Sequence, residues 1–569
     1  MIVVINCYII TYSIFIMLKF FLIGKKAVHP VVAVSLILVV AVVSVVGFQS
    51  WFSDFSSSVF TDVETSSDSG SFLNIEDVVG NDLYLNAGTD GVFVEKVIVS
   101  GTVCDVSSQK FGISKIDISD CLKYVNSPIV DVLVVTDSGI FEEKVSIENY
   151  INPIFGNGDI LSSKFIYSGS GDGLGTLGFS TSSYMTSGIA NMGDLDGNGF
   201  DDIAVGLYRS ALKGRVLIFM MGPNNSIISE FSINSNTGLY TRTLVNSDFF
   251  GWSLENVGDF NSDGINDLAV GAVGTDDGGA NVGSVTIFYL NSSGGIKGFD
   301  EIDDESVGFT GVLGDTSYFG SSIENIGDVD GNGQIDLAVG AQTDDSYLTN
   351  SGAVYILLLN PDLSVKNYSI ISGNSSVLSG VIESSDAFGS SVDSLGDFDG
   401  DGNLDLVIGA LNGKVSGTSK GEVYLIYLNS DLSVKNYSII GSDFPVLNTG
   451  LDSGDLFGVG VKNIGDLDGD KVIDLVVGAS GDDDVVSNSG AFYFIYLNSN
   501  GSVKGIDKIS QNVGGLGVVS QMEGLGDSIE LAKDLDGNGV RDLYVGAPNS
   551  DMGGTNKGSL GIFYLGSTE

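Results

Sequence analysis

A chain of 569 residues with 25 Lys+Arg against 72 Asp+Glu carries a formal net charge of -47, which repels nucleic acid and anionic surfaces and draws cations. Its 43% hydrophobic content is too high for an acidic disordered chain, and 79 glycines with only 7 prolines suit many short strands joined by tight turns. The single histidine, His29, lies beside an apolar segment, so Ser-His-Asp hydrolysis and His-ligated zinc are excluded from the main body.

The first 26 residues read as a leader or an extra hydrophobic segment ending in the basic pair Lys25-Lys26, with Met17 as an alternative start. Residues 27–50 read as a transmembrane helix, because Val31 to Phe48 gives 18 residues without a charge. Lysines precede it, and Asp54, Asp62 and Glu64 follow it. The positive-inside rule then predicts a single-pass protein of the cell membrane with its C-terminal region extracellular. The stretch KKAVHPVVAVSLILVVAVVSVVGFQSWF resembles the N-terminus of archaeal type IV pilins and archaellin-like proteins. That resemblance implies peptidase cleavage near Ala27 with the helix retained. The early Glu of many bacterial pilins is missing around Val32, which favours simple anchoring over pilus-like assembly.

Residues 51–71, rich in Ser and Asp, form a linker. Residues 72–155 hold the runs DLYLNAG, GVFVEKVIVSG, IVDVLVVTDSG and FEEKVSI, which predict a small β domain acting as a spacer. Outside the cytoplasm Cys104 and Cys121 would be able to pair; otherwise they are two buried thiols.

From residue 156 to 569 an acidic loop recurs six times, starting at Asp194, Asp259, Asp328, Asp397, Asp466 and Asp534. The spacings are 65, 69, 69, 69 and 68 residues, a regularity that marks a repeat architecture. Each unit offers about four short strands, the number in one propeller blade. The first loop reads GDLDGNGFDDIAVG, and oxygen side chains stand at positions 1, 3, 5 and 9 in every copy. They are Asp194, Asp196, Asn198 and Asp202; then Asp259, Asn261, Asp263 and Asp267; then Asp328, Asp330, Asn332 and Asp336. The last three sets are Asp397, Asp399, Asp401 and Asp405; Asp466, Asp468, Asp470 and Asp474; and Asp534, Asp536, Asn538 and Asp542. Alternate spacing on a tight loop converges oxygens on one point, and clustered carboxylates repel unless a cation neutralises them. Hard oxygen donors in flexible geometry suit Ca²⁺ better than Mg²⁺. Loop five departs from the pattern, with Lys471 in place of the glycine at position 6. An EF-hand is excluded, because position 12 is Val205, Val270, Val339, Ile408, Val477 or Val545 rather than Glu, and the flank is β-like.

The pairs Phe250-Gly251, Phe319-Gly320, Phe388-Gly389 and Phe457-Gly458 precede the loops. Gly271-Ala272, Gly340-Ala341, Gly409-Ala410, Gly478-Ala479 and Gly546-Ala547 follow them, with Pro548 in the last copy only. This pattern resembles FG-GAP repeats, the family that includes the propeller of integrin α subunits. The resemblance implies an all-β propeller with Ca²⁺ in loops on one face and partner binding on the other or at the rim. The 414 residues from 156 to 569 divide into six units of 69, which predicts six blades. LSSKFIYSG, ahead of the first repeat, is expected to supply the strand that the last repeat lacks. Seven blades, recruiting residues 72–150, is the alternative.

The expected function is a membrane-anchored, extracellular, calcium-binding propeller for adhesion or surface ligand binding, with a protein or glycan partner. An extracellular glycan hydrolase or lyase and a structural envelope component are the alternatives. Twenty of the 72 acids are already placed in the loops, and no acid stands out as an unmatched insertion in a single blade. No catalytic residues and no enzyme are therefore expected. Asp201, Asp483 and Asp484 read as solvated turn residues, and Asn224, Asn291, Asn367, Asn374, Asn436 and Asn500 head N-x-S/T sequons.

Overall fold

The computed structural model describes seven strands between residues 74 and 148, residues 159–168, and residues 182–566 apart from 311, 416, 442–446, 448–450, 484–487, 512, 517–518 and 520. The expected leader, membrane helix, pilin-like segment and linker lie outside the described residues, as does Cys121 of the expected disulfide. Among the described residues no helix is long and apolar enough to cross a membrane.

Strands Asn74–Val79, Asp82–Asn86, Val92–Val99, Thr102–Lys110, Ile113–Asp117, Ile129–Thr136 and Gly139–Glu148 form one seven-stranded sheet. Its pairings are antiparallel except that of Asn74–Val79 with Gly139–Glu148. These strands pair with one another and make no seventh blade.

Six four-stranded antiparallel sheets follow. Blade three is representative: Phe319–Gly327, Asp336–Ala341, Ala353–Leu359 and Val365–Ile371, paired in chain order. Its second strand is buried at every position, because both faces meet neighbouring blades. Its fourth strand buries only its ends and shows polar side chains to water, as a rim strand should. The sixth blade joins Ile529–Leu531, Leu543–Ala547 and Ser559–Gly566 to Asp159–Tyr167. Tyr167 stands opposite Ser559, and Asp159 opposite Gly566, so the segment ahead of the first repeat completes the last one. The ring closes at six, with no exposed first or last blade edge.

The phenylalanine and glycine pairs explain how the blades meet. Phe250, Phe319, Phe388 and Phe457 are fully buried, and each bridges to a glycine of the preceding blade: Gly214, Gly283, Gly352 and Gly421. Met185 and Leu525 take that place in the other two blades, against Gly558 and Gly490. Burying each such side chain contributes about 1.5–3 kcal/mol. Cores therefore lie between blades: Val285 and Ile287 of blade two share one cluster with Phe319, Leu337 and Val339 of blade three. The glycine of Gly340-Ala341 is dictated by close approach, since a Cβ there would stand 2.0 Å from the Gly389 carbonyl oxygen. Gly389 itself sits at φ +87°, open to glycine and costly for other residues.

Candidate metal centres

Each acidic loop joins the innermost strand of a blade to its second strand, an antiparallel pair. The position-9 aspartates, Asp202, Asp267, Asp336, Asp405, Asp474 and Asp542, are fully buried. In blade three, Asp336 Oδ2 accepts the Val329 N–H of the loop at 2.9 Å, and Oδ1 accepts the Leu359 N–H at 2.8 Å. Leu359 ends the third strand. The same clamp recurs on Met221, Leu290, Leu428, Leu497 and Leu565. This residue therefore fastens its loop to the blade whether or not an ion is bound, a role the spacing alone did not show.

Position 1 shapes the loop. Asp328 accepts the N–H groups of Asn332 and Gly333 at 2.9 and 2.7 Å, and Asp194 does the same with Asn198 and Gly199. Loop five closes in the same way despite its lysine: Lys471 adopts φ 71° and donates its N–H to Asp466. Where position 5 is Asn, its side-chain amide donates to a carbonyl in the last two residues of the third strand: Asn198 to Met221, Asn332 to Leu359 and Asn538 to Leu565.

Five loops bring three carboxylates together with one oxygen from each within 4.8 Å of the others. These are Asp194, Asp196 and Asp202; Asp328, Asp330 and Asp336; Asp397, Asp399 and Asp405; Asp466, Asp468 and Asp474; and Asp534, Asp536 and Asp542. Loop two, with Asn261 at position 3, is not in this group. Burial pushes the carboxyl of Asp202 up to about 6 and that of Asp542 up to about 7, and the neighbouring aspartates add to the rise. Such a set of hard oxygens gains most from a cation, and its chemistry fits Ca²⁺.

Two features went unread in the sequence. The first is a lysine on the fourth strand of blades two to five, foreshadowed by the recurring IK or VK dipeptide. Lys297 pairs with Asp263, Lys366 with Asp330 at 2.7 Å, Lys435 with Asp399 at 2.7 Å and Asp401 at 2.5 Å, and Lys504 with Asp468 at 2.5 Å and with Asp470. Asp401 and Asp470, expected among the ligands, are thus engaged by lysine. The second lies on the inner strands, where one register position carries Ala190, Glu255, Glu324, Asp393, Lys462 and Glu530 in successive blades. The Lys462 ammonium lies 2.8 Å from Asp393, 3.3 Å from Glu324, 3.5 Å from Glu530 and 3.9 Å from Glu255. Burial alone would pull Lys462 down, but the four carboxylates outweigh it and hold the ammonium charged. Burial and the neighbouring Asp393 push the Glu324 carboxyl well above its ordinary range. The repeats therefore do break symmetry, at their inner strands, contrary to the uniform pattern expected from the loops.

Asp201, expected to be a solvated turn residue, is instead buried, 2.7 Å from the Lys533 ammonium and within hydrogen-bond reach of Asn191. Of the other two acids, Asp483 is exposed as expected and Asp484 lies outside the described residues. Among the sequons, Asn224, Asn367, Asn374, Asn436 and Asn500 are exposed and Asn291 is half-buried.

At the opposite end of the blades from the acidic loops, Tyr184, Tyr208, Phe249 and Trp252 form an aromatic cluster. Tyr208 lies 5.4 Å from Tyr184 and 4.8 Å from Trp252, ring centre to ring centre. The Arg209 guanidinium lies over the rings of Tyr184 and Tyr208 at 5.2 and 5.5 Å.

Comparison with known proteins agrees with this geometry. The FG-GAP repeat model matches residues 319–357, 388–426 and 525–563. Integrin alpha-IIb of Mus musculus is 34% identical over 171 residues, 29% of this chain and 15% of that protein. Integrin alpha-5 of Xenopus laevis is 28% identical over 245 residues, 41% of this chain and 20% of that protein. This chain thus spans about a fifth or less of the length of the curated relatives it matches. The solved rhamnogalacturonan lyase YesW overlays with a TM-score of 0.32 and 12% identity, covering 88% of this chain and 91% of that one. Three segments of the chain match the FG-GAP repeat, and they lie in a six-bladed β-propeller that is similar over part of its sequence to integrin alpha chains.

Proposed function

We propose that this protein is a calcium-binding propeller held at the cell surface by the residue 27–50 segment, where it binds an extracellular protein or glycan without turning it over. The observation that carries the reading is the three-carboxylate cluster repeated in five loops of an FG-GAP propeller. In each occupied loop the aspartates at positions 1, 3 and 9 would hold the ion with the residue at position 5, and the bound ion would supply the charge that keeps them together. Ligand contact belongs to the opposite end, where loops such as VGTDDGGANV at 273–282 and QTDDSYLTNS at 342–351 leave the second strands. The cluster of Tyr184, Tyr208 and Trp252 at that end supports this, because aromatic anchors beside a cation dominate binding surfaces. The sheet of residues 74–148 serves as a spacer.

Thermal melts of the full chain in detergent, with Ca²⁺ or with chelator, test the metal reading. Binding to the native state alone must raise the midpoint, so an unchanged midpoint overturns it. Protease added to intact cells should remove the propeller; complete protection refutes surface display. A glycan array and cell pull-down test the binding role, and product analysis with envelope polysaccharides tests turnover. Reproducible cleavage that depends on one acid outside the loops would make the protein an enzyme.

A further inference from the structure

The fourth strands divide the six loops into two kinds. Pairing with the third strand sets the same register in every blade: Leu290 opposite Ile296, Leu359 opposite Val365, Leu428 opposite Val434 and Leu497 opposite Val503. The next residue in each is Lys297, Lys366, Lys435 or Lys504, and its ammonium lies on an aspartate at position 3 or 5 of the blade's own loop. In blades one and six the same register places Met221 opposite Ile227 and Leu565 opposite Ile160. The next residues are Ile228 and Leu161, exposed and apolar, at 60% and 46% of full exposure. Blades one and six are neighbours, so the two loops without a fourth-strand lysine are adjacent on the ring.

We propose that the fourth-strand lysines are tethered competitors for the ion, so that loops one and six bind Ca²⁺ more tightly than loops two to five. This rests on the calcium reading above. An aspartate oxygen that accepts from an ammonium cannot also approach a divalent ion without bringing a positive charge beside it. The lysine must swing away first, and its charge stays tethered nearby. In loops four and five the ammonium engages both position 3 and position 5, so the extra carboxylates Asp401 and Asp470 add no free donor. Loop two combines Lys297 with the weaker donor Asn261 and should bind least. A unit charge about 5 Å from a divalent ion in a water-like dielectric weakens binding on the order of tenfold.

Calcium titration of the full chain in detergent, by equilibrium dialysis at low salt, tests this. The wild type should show two tight sites and a weaker class. Lys435→Met should move one weak site into the tight class, about tenfold tighter. Ile228→Lys should move one tight site into the weak class. Both positions are on the solvent side of a rim strand, and matching melts in chelator would show that the fold is kept. A single class of equal sites that neither substitution changes overturns the lysine proposal and leaves the calcium reading standing. No bound calcium in any variant at millimolar ion overturns both.

Discussion

Replacing Lys462 with Met keeps the length of the side chain and removes the one positive charge shared by Glu255, Glu324, Asp393 and Glu530. The Lys462 side chain is only 14% exposed, so water cannot take over its role. Removing one partner from a buried ionic cluster typically costs about 3–5 kcal/mol, because charges stay behind uncompensated. At about 2.1 cal/mol/K per residue, a propeller of roughly 400 residues unfolds with an entropy of about 0.8 kcal/mol/K, so the midpoint should fall by about 4–6 °C. The loss must also depend on pH. Glu324 already holds its proton more tightly in the folded chain than when unfolded, so its contribution is present at low pH and fades as pH rises. Without the ammonium the Glu324 carboxyl is driven further upward. At about pH 5 a proton on Glu324 can offset part of the missing charge, and at about pH 8 nothing does. The difference between wild type and variant should therefore widen from pH 5 to pH 8 in calorimetric melts of the full chain at fixed calcium. Adding Glu324→Gln to the variant should recover part of the loss, since one of the stranded charges is gone. A midpoint unchanged at pH 8, or a loss equal at both pH values, would refute the account of Lys462 as the charge that joins five blades.

Gly340→Ala should destabilise the propeller by about 3 kcal/mol or more, since its Cβ would stand 2.0 Å from the Gly389 carbonyl oxygen; a melt within about 1 °C of wild type would contradict the inter-blade packing. Asp336→Ala should lower the melting midpoint even in chelator, by an amount equivalent to about 2–5 kcal/mol, because the buried N–H groups of Val329 and Leu359 lose their acceptor. Asp328→Ala, in the exposed part of the same loop, should lower mainly the calcium-dependent part of the stability. Equal losses from the two aspartates in chelator would show that position 9 has no separate structural role. Trp252→Ala should weaken ligand capture while leaving calcium binding intact, as measured by cell pull-down and dialysis on the same preparation.

The repeat period, the blade count and the donor spacing of each loop were legible in the sequence, because they depend on residues close together in the chain. LSSKFIYSG even disclosed the closing strand, since a rim strand has its own alternation and turn signals wherever it occurs; its pairing of Tyr167 with Ser559 follows. Other features arise only when distant segments meet. Asp336 looked like a ligand and no more, until folding placed the Leu359 N–H, 23 residues later, on its second oxygen. Lys366 went unread, because only the four-stranded pairing carries it to Asp330, 36 residues earlier. Glu255, Glu324, Asp393, Lys462 and Glu530 each stand four residues before the first aspartate of their loop, but that spacing does not say that they meet; the propeller axis brings them together. Local spacing fixes how a loop curls and which donors it offers. Which charges then face one another is decided by ring closure, because only closure brings carboxylates of four blades within a few ångströms of the ammonium of a fifth.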